Sequence, residues 1–497
     1  MSIFRSILRL VKHSAVYGVG HILTRAIIFL LMPLHTNIFP KADMGVAGLV
    51  FTYLGIFTIV YAYGLDTAFF RFYIMGDTDK QKNQVFTTAF LTMIATSILF
   101  SALIIFNAEW IAGHIFSGDV QELTIDLVMM VRVVAGILLF DAVSFMPFLI
   151  LRAEERSTSF ILFKFLNVSI NLGFNFIFIV SMDMGVESIF YANLIASAVT
   201  FFALLPTGLR RLTRNFSRSM LKELFAFGIP YLPSTMCVAL MDTVDRILLE
   251  RLADVEAVGV FSQGHKLGMF MALFVTAFRF AWHPFFLSTL KQENAEQIFK
   301  KVFTYVITAC TLVFLFFSAF IEEIVHLRIG EFTILGKEFW SATQVVPLIF
   351  LAYIFYAAYL NFLIGIYVHK KTKYLPWITF AGMSANVITN ITLIPVLGML
   401  GAAWARLAAY MVMSFTLYRV TRTLYPVHYE WSRIIKLAAV MSVFFVLIRW
   451  QTVYANTLLK AGLFLLYPAA LYISGFFQRD ELELIKGVLQ RKSRGGS

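Results

Sequence analysis

Residues 301–321, KVFTYVITACTLVFLFFSAFI, decide the kind of protein this is. Lys301 at the edge is its only charged residue. As a helix rising about 1.5 Å per residue, the stretch reaches roughly 30 Å, the thickness of a bilayer's hydrocarbon core. Runs of this kind recur along the whole chain. Of its 497 residues, 59% are hydrophobic and only 14% charged, with a mean hydropathy of +0.79. Soluble domains carry about a quarter charged residues, so this chain lacks the polar surface that water requires. An outer-membrane barrel would show segments of about 10 residues with apolar and polar positions alternating. That alternation is absent, and the expected class is an all-α polytopic membrane protein.

Fourteen spans are expected, at roughly 14–36, 44–70, 85–106, 123–150, 159–181, 187–208, 226–249, 258–283, 301–321, 343–368, 375–396, 401–420, 435–450 and 459–477. With an even count both termini share a side. The connections on that side hold 29 Lys and Arg, and those on the other hold 6. Basic residues mark cytoplasmic loops, so both ends are expected in the cytoplasm. The formal charge of +12 then reflects topology and attraction to anionic lipid, with no nucleic-acid partner. The basic N-terminus (Arg5, Arg9, Lys12) precedes an apolar run too long for a signal-peptide core. Cys237 and Cys310 sit inside apolar runs and read as small buried hydrophobes.

The chain also repeats itself. Tyr17-Gly18-Val19 opens the first span and Phe227-Gly228-Ile229 the seventh. The Gly45-Val46 pair is answered by Gly259-Val260, and Asn171-x-x-x-Asn175 by Asn386-x-x-x-Asn390. Offsets stay near 210–216, which makes a parallel repeat. The expected division is a six-helix lobe over 1–209, a basic linker at 210–225, a second lobe over 226–421, two further helices over 422–478 and a cytoplasmic tail from 479 to 497. Repeats of this kind place substrate sites at their shared interface. Asn residues four apart share a helix face, so the Asn pairs read first as helix-packing groups bonding to a neighbouring helix.

At these residues the chain resembles the multidrug/oligosaccharidyl-lipid/polysaccharide (MOP) flippase superfamily, in its polysaccharide-exporter, or O-antigen flippase, branch. The likeness is carried by Asn386-x-x-x-Asn390 running through Pro395 and Gly398 into Gly401-Ala402-Ala403. Tyr17-Gly18 and the segment from Gly64-Leu65-Asp66-Thr67-Ala68 to Arg71-Phe72 are also similar. The resemblance implies two six-helix lobes around a central cavity, alternating access and no ATP site. It implies translocation of a polyprenyl-diphosphate-linked oligosaccharide across the inner membrane for surface polysaccharide such as O-antigen, capsule or exopolysaccharide. Membrane lipids are the other expected partners, with a polysaccharide polymerase and chain-length proteins as further ones. A peptidoglycan precursor or a drug or cation would suit the same fold.

A charge at membrane depth costs at least about 2.5–3.5 kcal/mol and so needs a partner or a wet cavity. Arg25, Lys266 and Arg279 are the candidates to line a cavity and hold a diphosphate by charge-assisted hydrogen bonds. Each has a structural alternative. Arg25 is equally served by backbone carbonyls or a distant carboxylate, Lys266 by Asp242, and Arg279 by snorkelling to the interface. Asp242 and Arg246, four residues apart, also suit each other. Arg132 and Arg406 read as anchors or lobe contacts near the outer edge. Asp66, Asp141 and Asp242 are the gating or ion-coupling candidates, Asp66 as a pair with Arg71. A glycan polymerase or glycosyltransferase is the rival from another class, but catalytic and metal motifs are absent. Gly330–Glu338 misses a phosphate-binding loop by one residue of spacing and by Glu338 in place of Ser or Thr. No catalytic residue, metal site or cofactor is expected.

Overall fold

The structure is a computed structural model that describes residues 29–115, 126–290, 292–369, 371–454, 456–478 and 481. Helix α1 is seen over 29–38 and is followed by α2 (Lys41–Ala62), α3 (Leu65–Met75), α4 (Asp79–Phe106) and α5 (Ala108–Ile115). Next come α6 (Leu127–Ala153), α7 (Ser157–Phe176), α8 (Ser188–Leu209), α9 (Arg218–Gly228) and α10 (Leu232–Leu252). The chain continues through α11 (Val255–Thr289), α12 (Ala295–His326), the hairpin β1 (Arg328–Ile329) and β2 (Phe332–Thr333), α13 (Val346–Phe362) and α14 (Ile364–Val368). It ends with α15 (Leu375–Leu397), α16 (Met399–Leu424), α17 (Trp431–Arg449), α18 (Gln451–Tyr454) and α19 (Thr457–Ile473).

Among the described residues, eleven helices are long and apolar enough to cross a membrane, so the protein is a multi-pass membrane protein. That number does not establish the expected fourteen. Most of the first expected span lies outside the described residues, as does the expected cytoplasmic tail apart from Glu481. The seventh is α10, a helix made too polar by Asp242, Asp245, Arg246, Glu250 and Arg251. The fourteenth is α19, only 17 residues long. The second expected span, 44–70, is two helices. Tyr63 and Gly64 both adopt positive φ (32° and 76°) and break it.

Packing divides the chain into two units. The first comprises Met1–Met269, Arg328–Ile349 and Thr372–Met413. Within it α2 meets the second half of the chain at both of its ends through glycine. A Cβ on Gly45 would lie 1.9 Å from the Val255 carbonyl oxygen, and one on Gly259 would lie 2.2 Å from that of Lys41. The same 214-residue offset separates Lys41 from Val255 and Gly45 from Gly259. Each glycine therefore admits the carbonyl four residues before its counterpart. The repeat read in the sequence is a near-symmetric crossing of backbones, the close approach that small residues permit. Beyond the other end of α2, a Cβ on Gly64 would lie 2.1 Å from the Gly228 carbonyl oxygen. The positive φ of Gly64 and this contact together require glycine. Beside it, Leu65, Phe69, Phe86, Phe90, Val143 and Met146 form a buried cluster joining α3, α4 and α6. The segment that resembled a phosphate-binding loop belongs to the β1–β2 hairpin and the bend at 334–336. Asn37 donates to the Thr333 carbonyl at 2.7 Å, and the Gly336 N–H donates to Thr36 at 2.9 Å.

The second unit comprises Phe270–Leu327, Phe350–Lys371 and Ser414–Ser497. Trp282, Phe286, Phe299 and Ile364 form a buried apolar cluster there. Lys460 is buried at the start of α19 and donates to Glu323 of α12 at 2.7 Å, so a charge in an apolar helix is matched. Arg433 of α17 sits between Glu430 and Glu481, donating to each at 2.8 Å. Glu481 also accepts from the Tyr305 hydroxyl at 2.6 Å and the Gln478 N–H at 3.0 Å. Burial opposes ionisation of Glu481, but Tyr305, Gln478 and Arg433 outweigh it and hold its pKa below the ordinary 4.5. Its stabilising contribution is therefore complete above pH 4.5 and is lost as the pH falls through the lowered value. The gap in thermal midpoint between wild type and Glu481→Gln is expected to be constant from pH 7 to about 5 and to close at lower pH. A gap independent of pH would show that the carboxylate's charge is not what holds this segment.

Candidate functional site

The first unit contains a cavity of about 440 Å³. It is built on two adjacent helices of the second half of the chain, α10 and α11, facing α1, α2, α7 and α8. From α11 come Ser262, Gln263, His265, Lys266 and Met269, which share one face at helical spacing. Arg246 enters from α10, His35 from α1, Asn167 and Asn171 from α7, and Asn193 from α8. Leu31, Met44, Ala47 and Phe51 supply apolar wall. The lining holds a lysine, an arginine, two histidines and four carboxamides, and no carboxylate among the described residues. Lys266 and Arg246 lie close enough to repel each other. Two like charges at membrane depth favour an anion between or beside them.

The nearest carboxylate in sequence, Asp245, is accounted for elsewhere. It is fully buried, and its Oδ2 accepts from Arg406 Nε at 3.0 Å and Nη2 at 2.7 Å. Its Oδ1 accepts from Asn386 at 2.8 Å and Asn390 at 2.9 Å, and Asn390 also donates to Asn386 at 3.0 Å. One carboxylate thus ties α10 to α15 and α16. Arg406, expected as an anchor or lobe contact near an edge, is instead 2% exposed and bonds within this cluster. It reaches the cavity wall through His265 Nε2. The first-half pair behaves differently. Asn175 donates to the Asn171 carbonyl at 2.8 Å and side chain at 3.0 Å, while its Oδ1 faces His35 Nε2 at 2.9 Å. These contacts set the orientation of a histidine and an amide in the cavity lining.

The other sequence candidates are dispersed. Arg25 lies outside the described residues, and the side chain of Asp242 is not among those described. Arg279 is exposed and does not line the cavity. Asp66 and Arg71 do not form the expected pair. Five residues place them about 140° apart on α3, and the Arg71 guanidinium lies 4.3 Å from the Phe227 ring centroid. Asp141, near mid-helix in α6, lies close to Ser197 of α8 and to Lys164 of α7, which is 4.4 Å from the Phe148 ring centroid. His35, His265 and Gln263 were not singled out by sequence. None of the three belongs to the repeated motifs that mark Asn171 and Asn386. Helical phase from Lys266 would have found Gln263, about 60° away.

This fold is that of transporters of the MOP superfamily. A lipid II flippase MurJ in an inward closed conformation is similar over 93% of this chain and 100% of its own, with a TM-score of 0.74 at 13% identity. A multidrug resistance MATE family transporter of the MOP superfamily, in an inward-facing conformation, is similar over 85% and 94%, with a TM-score of 0.57 at 17% identity. A MOP superfamily transporter from Pyrococcus furiosus, described by a reversed polarity of its binding pocket, is similar over 84% and 94%, with a TM-score of 0.55 at 16% identity. No protein of curated function matches the chain by sequence. The polysaccharide biosynthesis protein family matches residues 10–290. The chain belongs to that family.

Proposed function

We propose that the protein is a flippase that carries a polyprenyl-diphosphate-linked oligosaccharide across the cytoplasmic membrane for surface polysaccharide synthesis, without itself catalysing a reaction. The observation that carries this reading is the cavity lined by Arg246, Lys266, His35 and His265 without a carboxylate among the described residues. A diphosphate suits such a lining, and the polyprenyl tail would stay in lipid. A drug or cation antiporter would need the opposite charge. In this reading the two six-helix lobes rock about the cavity, both termini lie in the cytoplasm, and Arg25 adds a further cation from the first span. Asp141, with Lys164 beside it, and Asp66 and Asp242 remain the coupling or gating candidates. A polymerase and chain-length proteins would act on the product outside.

Lys266→Ala and Arg246→Ala are each expected to weaken headgroup binding roughly ten- to hundredfold. A hydrogen bond to a charged group contributes about 1.5–3 kcal/mol. The measurement is transport of a lipid-linked oligosaccharide in proteoliposomes, alongside polysaccharide export in cells at matched protein levels. Full activity in both variants would remove the cationic-cavity mechanism. A peptidoglycan precursor is the second reading, favoured by the likeness to a lipid II flippase. It carries the same diphosphate, so competition between the two lipids in that assay separates them.

A further inference from the structure

Gln263 is fully buried, yet neither its Oε1 nor its Nε2 has a hydrogen-bond partner among the described residues. The Ser262 hydroxyl beside it is likewise without one. A buried neutral group left unpaired loses its hydration without compensation, and folded proteins keep few such groups. A leucine or methionine at position 263 would avoid that cost, so the amide is poised for a partner outside the described protein atoms. It lines the cavity, three residues from Lys266 on the same helix. Side chains three apart on a helix stand about 5–6 Å from each other.

The rest of the lining narrows what that partner is. Across the cavity, Asn167 donates to Thr200, which leaves its carbonyl oxygen uncommitted. Asn171 accepts from Asn175 through its oxygen, which leaves its amide N–H groups to donate. Asn193 makes no side-chain hydrogen bond among the described residues. These are neutral donors and acceptors facing a cationic pair. Their complement is a neutral polyhydroxyl group directly attached to an anion.

Resting on the flippase reading, we infer that Gln263 is a specificity-determining residue that reads the sugar joined directly to the diphosphate. A carboxamide presents an acceptor and a donor side by side. Two neighbouring hydroxyls of a pyranose match it, one donating to Oε1 and the other accepting from Nε2. With a phosphate at Lys266, the first sugar ring is the part of the substrate that reaches Gln263, because its anomeric carbon is bonded to the phosphate oxygen. Apolar replacement at 263 would leave the diphosphate site intact and remove only discrimination for the sugar.

The test uses the purified full-length protein and three probes: undecaprenyl diphosphate and its galactosyl and N-acetylglucosaminyl derivatives. Wild type is expected to bind at least one glycosylated probe about tenfold tighter than the bare diphosphate, the size of one or two neutral hydrogen bonds. In Gln263→Met that preference disappears while affinity for the bare probe is kept. Lys266→Ala weakens all three alike. The thermal midpoint of Gln263→Met should not fall, because the change removes an unpaired buried amide. If wild type binds the bare and glycosylated probes equally, or Gln263→Met keeps the preference, the inference is overturned and the flippase reading stands. If no probe binds, both fall together.

Discussion

Arg406→Met is expected to destabilise the protein by about 3–5 kcal/mol, the cost of leaving a buried charge without its partner. Asp245 is 0% and Arg406 2% exposed, so water cannot take over the lost bonds. The two amides that remain on Asp245, from Asn386 and Asn390, share one carboxylate oxygen and bring no charge. Asp245→Asn/Arg406→Met should recover more than half of the loss, because it removes the stranded charge as well as the bond. Unfolding of the single and double variants in mixed micelles gives the coupling energy directly. Equal stability of wild type and Arg406→Met would mean that the ion pair is not what joins α10 to α16. A double variant worse than either single one would mean that burial of the amides, and not the stranded charge, sets the cost.

That network also shows where sequence reading stops. Asn386 and Asn390 four apart dictated a polar stripe on one helix face, and the stripe does bond to a neighbouring helix. What it meets was not legible, because Asp245 and Arg406 are 161 residues apart and no local period links them. The charge of Arg406 was legible, but its burial against Asp245 was not. Membrane residence and the glycine repeat were legible for the opposite reason: both are local patterns, one of composition and one of spacing. Of the cavity, Lys266 could be found from its charge alone. Gln263, His35 and His265 stand outside the repeated Asn and Gly motifs, so spacing did not mark them. Arg279 carries the same signal of charge as Lys266 but does not line the cavity, and charge alone does not separate the two.

The second large effect concerns the crossing of α2 and α11. If the proposed flippase releases its headgroup at the end where Lys41 and Val255 lie, these helices must part there and close again in every cycle. The closed contact is backbone against backbone, with a Gly45 Cβ position 1.9 Å from one carbonyl oxygen and a Gly259 Cβ position 2.2 Å from the other. A flexible side chain could move aside, but a helical carbonyl cannot do so without breaking its own hydrogen bond. Gly45→Val or Gly259→Val should therefore hold this end apart. A closed state disfavoured by about 3 kcal/mol is populated roughly a hundredfold less, at the upper end of overpacking penalties. The expected result is transport reduced by about that factor, with faster thiol labelling of Ser262→Cys in the cavity. Gly55→Val on the same helix is the control, since nothing lies within 4 Å of a Cβ there. It should leave transport and labelling unchanged. Wild-type transport in Gly45→Val would show that the cycle does not pass through this contact. Lost transport with unchanged labelling would mean that the substitution does not part this crossing.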